Sequence, residues 1–117
     1  MVVLAVASEA AMIAPRQSLI TRLFDEMVRL STRTGTIRRA PLKNGAELVV
    51  LVADGTITLT IKRPEKRVGA AELVTFRRDC RVPADAEVLT PPEQATRHVG
   101  NQIPMTVYYV TYRWVQR

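Results

Sequence analysis

Between Pro15 and Thr34 the apolar residues Leu19, Ile20, Leu23, Phe24, Met27 and Leu30 return every three or four positions. At about 100° per residue they fall within an arc of about 140°, as in a helix with one buried stripe. Pro15 is tolerated in a first helical turn and Gly35 stands where a left-handed cap belongs, so the pattern predicts one long helix from Pro15 to Thr34. Arg22, Arg29 and Arg33 share a strip beside the stripe, with Asp25 and Glu26 three or four residues away and able to pair with them.

After Gly35 the period changes from helical to alternating. A short strand is expected over 36–42, and Lys43-Asn44-Gly45 supplies a turn. Glu47–Ala53 and Thr56–Arg63 then flank Asp54-Gly55, the dipeptide that a two-residue type I′ hairpin favours because both central residues need positive φ. With Ala53 opposite Thr56, the pairs Val52/Ile57, Val50/Leu59 and Leu48/Ile61 share one face, while Glu47 opposes Lys62 on the other. Turn chemistry and hydrophobic pattern therefore agree on one register. The second face sets Thr56, Thr58 and Thr60 against Ala53, Leu51 and Val49, half apolar and suited to some cover.

A further strand is expected from Ala71 to Arg78, and the β-branched and aromatic run from Met105 to Gln116 predicts the last one. Alternation puts Tyr108, Val110, Tyr112 and Trp114 on its core face and Tyr109 and Arg113 on the exposed side. Apolar content on both faces assigns this strand a central place. The stretch 81–104 is too long for a hairpin loop, and Thr90-Pro-Pro-Glu93 reads as a capping box, so a short second helix is expected near residues 91–99. The fold class is α+β: one long N-terminal helix on a mainly antiparallel sheet of about four to five strands. A helix lying across such a sheet resembles the cystatin-like arrangement; the inhibitory motifs of those proteins are not identifiable in this sequence, and the resemblance implies no function.

With 117 residues the chain has room for a single core, so 1–117 is read as one domain. Hydrophobic residues at 47% and charged residues at 24% exclude wholesale disorder. The N-terminal apolar run lacks the basic flank and the length of a signal peptide, and no stretch approaches the roughly 20 apolar residues of a membrane span, so no membrane association is expected. A lone cysteine, Cys80, excludes an intrachain disulfide and fits a reducing, cytoplasmic location.

Chemistry is sparse. One Cys and one His, Cys80 and His98, cannot build a zinc site, and they read as a buried inert thiol and a surface or capping residue. The five glycines are isolated, so no phosphate loop exists. No catalytic residue, metal ligand or cofactor is assigned, and the expectation is a non-enzyme. What distinguishes the chain is charge: of the net +6, residues 36–81 carry ten basic and five acidic groups. On the expected strands, Lys43, Lys62, Arg63, Lys66 and Arg67 gather as a basic rim at one end of the sheet. Arg77, Arg78 and Arg81 emerge at the other end, beside Asp54-Gly55, with Tyr109 and Arg113 exposed between. Phosphates seek such cations and bases stack on such rings, which points to single-stranded DNA or RNA ahead of duplex. The competing class is a protein-interaction module, a small inhibitor or accessory subunit or a homodimer, using the half-apolar outer sheet face with no nucleic-acid role.

Overall fold

The computed structural model describes residues 17–43, 45–90, 95–99 and 104–117. Helix α1 (Leu19–Thr34) is followed by β1 (Arg38–Pro41), β2 (Glu47–Ala53), β3 (Thr56–Pro64), α2 (Ala70–Asp79), β4 (Glu87–Thr90), β5 (Ala95–Val99) and β6 (Pro104–Val115). The sheet is antiparallel at every pairing and ordered β1-β2-β3-β6, with β4 and β5 both lying along the far edge of β6. It is therefore five strands wide, and β6 is central as its two-sided apolar pattern predicts.

The β2–β3 hairpin carries the register read from the sequence, from Ala53 opposite Thr56 to Glu47 opposite Lys62. Asp54 and Gly55 both adopt positive φ, 54° and 71°, as a type I′ turn demands. Leu48, Val50, Leu59 and Ile61 are consequently fully buried. The β3–β6 ladder continues the same parity: Leu59 faces Tyr112, Ile61 faces Val110 and Ile57 faces Trp114. Both Val110 and Tyr112 are buried, so that side of β6 is core.

Helix α1 begins at Ser18, whose hydroxyl accepts the Thr21 amide at 3.0 Å, and ends at Gly35 in the left-handed region, φ 67°. Phe24 and Met27 are buried, with Ile20, Leu23 and Val28 packed against them. The stripe is rotated slightly from the expected one, because Leu19 is 65% exposed while Thr21 and Ser31 are buried. Both buried hydroxyls are hydrogen-bonded across the fold. Thr21 donates to the Asp79 carbonyl at 2.8 Å, tying α1 to the end of α2. Ser31 donates to the Thr36 carbonyl and accepts the Val52 amide, each at 2.8 Å. The β1 ladder stops at Arg38 opposite Val50, so the Val52 amide lies beyond its reach and Ser31 supplies the missing acceptor.

Two sequence expectations fail. The segment expected as a strand over 71–78 is helix α2, and the helix expected near 91–99 is strand β5 over 95–99; residues 91–94 fall outside the described residues. Gly69 caps α2 in an extended conformation, Glu72 sits in its first turn and Arg77 and Arg78 in its last, each complementing the helix dipole. Leu73, Phe76 and Cys80, spaced three and four apart, turn inward against the core. Both helices lie on one face of the sheet, with α1 over β1 and β2 and α2 toward β6.

Two substitutions test this packing in urea denaturation. Leu59→Ala should cost about 2–5 kcal/mol through the cavity it leaves. Ser31→Ala should cost about 1–3 kcal/mol, because it strands the buried Val52 amide without an acceptor. A midpoint equal to the parent protein in either case would contradict the burial described.

Candidate nucleic-acid interface

Alternation along β3 decides which cations reach solvent. Ile57, Leu59 and Ile61 point into the core, and Arg63, two residues on, points the same way. Arg63 is 8% exposed, and its Nη1 donates to both Glu72 carboxylate oxygens at 2.7 and 2.6 Å. Arg63 is therefore withdrawn from the expected rim and becomes the clamp between β3 and α2. Lys62 takes the opposite face, between Glu47 and Tyr109 in register, and is half-buried.

Lys43, Lys66 and Arg67 are exposed at the same end of the sheet, in the β1–β2 turn and the β3–α2 loop. The loop is held by Glu65, whose amide donates to the Thr106 carbonyl at 2.7 Å and whose carboxylate accepts the Thr106 amide at 3.2 Å. Glu65 adopts φ 61°, a left-handed conformation that turns the chain sharply from β3 toward α2. Arg67 then lies over the Tyr108 ring, 5.7 Å from its centroid. Stacking of this kind fixes the guanidinium plane and leaves its N–H edge for an anion.

The remaining candidates lie elsewhere. Arg77 and Arg78 project from α2: Arg77 stacks on Tyr112 at 5.6 Å and Arg78 pairs with Asp79 at 3.1 Å. Burial raises the Tyr112 hydroxyl pKa, opposed by the Arg77 charge. Tyr109 is half-buried on the outer face, and Arg113, exposed there, pairs with Glu87 at 2.8 Å. Among the described residues Arg29, Arg39, Arg63, Arg78, Arg81, Arg113 and Arg117 all hold carboxylates. Among the same residues Lys43, Lys62, Lys66, Arg67 and Arg77 hold none, nor do Arg22 and Arg33 on α1 or Arg38 on β1. The nine sequence candidates thus divide into a loop-end group, Lys43, Lys62, Lys66 and Arg67; an α2 group, Arg77 and Arg78; an outer-face group, Tyr109 and Arg113; and the buried Arg63.

At the opposite end, the sequence reading missed an aromatic cleft. Phe24 and Trp114 stack with centroids 6.2 Å apart, and with Val28, Ile57 and Pro83 they line a hollow of about 440 Å³. Cys80 lies at its floor, fully buried, and burial together with Asp79 and Asp25 pushes its thiol up to about 12, so it is inert as a nucleophile. Among the described residues no cluster of His, Cys, Asp and Glu could hold a metal ion, and no helix is long and apolar enough to cross a membrane. His98 belongs to strand β5, in the segment expected as a helix. Comparisons with protein-family models, with curated proteins and with solved structures each return no significant match.

Arg63→Ala should lower stability by about 1–3 kcal/mol, the scale of a charged hydrogen bond, while leaving any anion affinity of the protein unchanged. Denaturation and binding measured on the same variant separate the two roles.

Proposed function

We propose that the chain is a non-catalytic nucleic-acid-binding domain that takes single-stranded DNA or RNA on the loop end of its sheet. The observation that carries this reading is the clustering of unpaired charge: among the described residues Lys43, Lys62, Lys66 and Arg67 lack acidic partners and belong to one end of the sheet, whereas Arg22, Arg33, Arg38 and Arg77, also without carboxylates, are dispersed over α1, β1 and α2. Cations already neutralised by carboxylates gain little from a phosphate, whereas unpaired ones exchange only water and counterions. Tyr108 under Arg67 adds a half-buried ring beside them, and stacking suits unpaired bases better than a closed duplex. Neither helix offers a row of base-reading side chains, which favours single strands further.

A second reading, a protein-interaction module that pairs with another copy or covers a partner, is supported by the outer sheet face. Val49, Leu51, Thr58 and Thr60 lie there half-buried, and both described helices pack on the other side. The experiment that chooses is a titration of fluorescent single-stranded and duplex DNA and RNA at two salt concentrations. Four phosphate contacts to a single strand predict a slope of about −2.8 in log K against log salt. Lys66→Glu combined with Arg67→Glu should reduce that slope by about 1.4 and leave the urea midpoint nearly unchanged. Absence of binding at low salt rejects the nucleic-acid reading, and a sedimentation mass above that of one chain then favours the interaction module.

A further inference from the structure

The cleft around Trp114 differs from the loop end in its electrostatics. Its walls are apolar and aromatic, while its lip carries Asp25, paired with Arg81, and Arg117, whose partner Asp85 at 3.0 Å lines the adjoining hollow. Counted with that partner, the two bases of the lip are matched by two acids, so it offers no net attraction to a phosphate. All four side chains are exposed, and surface pairs of this kind exchange partners at little cost. Trp114, half-buried, also borders a second hollow of about 430 Å³ with Arg113 and Glu87, so its ring stands between two open spaces.

An aromatic slot with mixed acceptors and donors at its mouth suits a flat, uncharged ring whose own edge carries both kinds of group. Guanine answers that description most fully: N7 and O6 accept two hydrogen bonds from a guanidinium, and its ring and exocyclic N–H groups donate to a carboxylate. We propose that the cleft between α1, the 80–83 loop and the end of β6 binds one guanine base, stacked on Trp114 and held at its edge by Arg81 or Arg117 together with Asp25. This site stands on its own geometry and does not depend on the loop-end cations, from which it differs in needing no phosphate.

Trp114 is the chain's single tryptophan, so its fluorescence reports on this cleft and on the hollow beside it, and Asp25, which lines the cleft only, tells the two apart. Guanosine, added to the intact chain with excitation at the red edge of the indole band, should quench it saturably and almost independently of salt. Uridine, with a smaller ring and no matching edge, should bind about tenfold more weakly or worse. Asp25→Asn, at a half-exposed position, should weaken guanosine about tenfold with the fold intact, whereas Asp85→Asn, in the adjoining hollow, should leave it unchanged. Lys66→Glu with Arg67→Glu should leave guanosine binding unchanged, so loss of strand binding and loss of the cleft site are told apart. A short single strand with one guanine distinguishes the source: quenching by guanosine itself indicates a site for the free nucleoside, and quenching by the strand alone indicates a strand-borne base. No saturable quenching by either, or uridine equal to guanosine, overturns the proposal.

Discussion

At Asp54 and Gly55 the backbone holds two consecutive residues at positive φ, and the parity of the whole sheet follows from that turn. With the loop fixed at two residues, Ala53 must oppose Thr56, and every odd residue of β3 from Ile57 to Arg63 is directed at the helices. The ladder to β6 passes the parity on, so Val110, Tyr112 and Trp114 join the same layer while Tyr109 and Arg113 face away. A slip of one residue would exchange Thr58, Thr60 and Lys62 for the core positions. The same constraint that buries Leu59 and Ile61 also buries Arg63, and it does so regardless of what a cation there would prefer.

That placement has to be compensated, and Glu72 is the compensation. A guanidinium taken almost entirely out of water is costly unless a carboxylate meets it with good geometry, and the two-oxygen contact from α2 provides this. Helix α2 thereby gains a fixed phase on the sheet. Its other end is fixed by the Thr21 hydroxyl on the Asp79 carbonyl, so one side-chain clasp at each end sets where the helix lies. Arg77 then falls over Tyr112 as a consequence of that phase. Ser31 does for the sheet edge what Thr21 does for α2, and both are polar residues inside a stripe that hydrophobic periodicity alone would leave to leucine.

How much of this is legible in the chain depends on whether local signals agree. At the hairpin, turn residues, alternation and β-branched content all point one way, and strand ends and register follow to the residue. At 70–79 they disagree: Leu73-Val74-Thr75-Phe76 has strand composition, while Gly69, Glu72 and the spacing of Leu73, Phe76 and Cys80 describe a short helix. A ten-residue segment carries too few turns for its period to outweigh its composition, and tertiary contact decides. At 95–99 the capping-box pattern preceding the segment suggested a helix, whereas pairing along β6 makes it a strand. The positive charge was legible as composition but its neutralisation was not. Arg81 meets Asp25 across 56 positions of sequence and Arg113 meets Glu87 across 26, separations at which no local rule operates.

The two ends of the sheet are therefore unlike in a way that total charge conceals. Around Trp114 every arginine described has found a carboxylate, because α1, the 80–83 loop, β4 and the end of β6 converge there and bring acids with them. At the loop end the elements diverge: β1 and β2 are joined by a tight turn, and β3 leaves through Glu65, whose carboxylate is oriented onto the Thr106 amide and forms no ion pair with Lys66 or Arg67. Glu72, the next acid along, is committed to Arg63. The unpaired charge at this end is thus a consequence of buried and backbone demands that use up the nearby carboxylates, and it arises from the same parity that the Asp54-Gly55 turn imposes. An anion approaching the domain meets a net positive field at the loop end, screened over about 8–10 Å at physiological ionic strength, and alternating charges at the other.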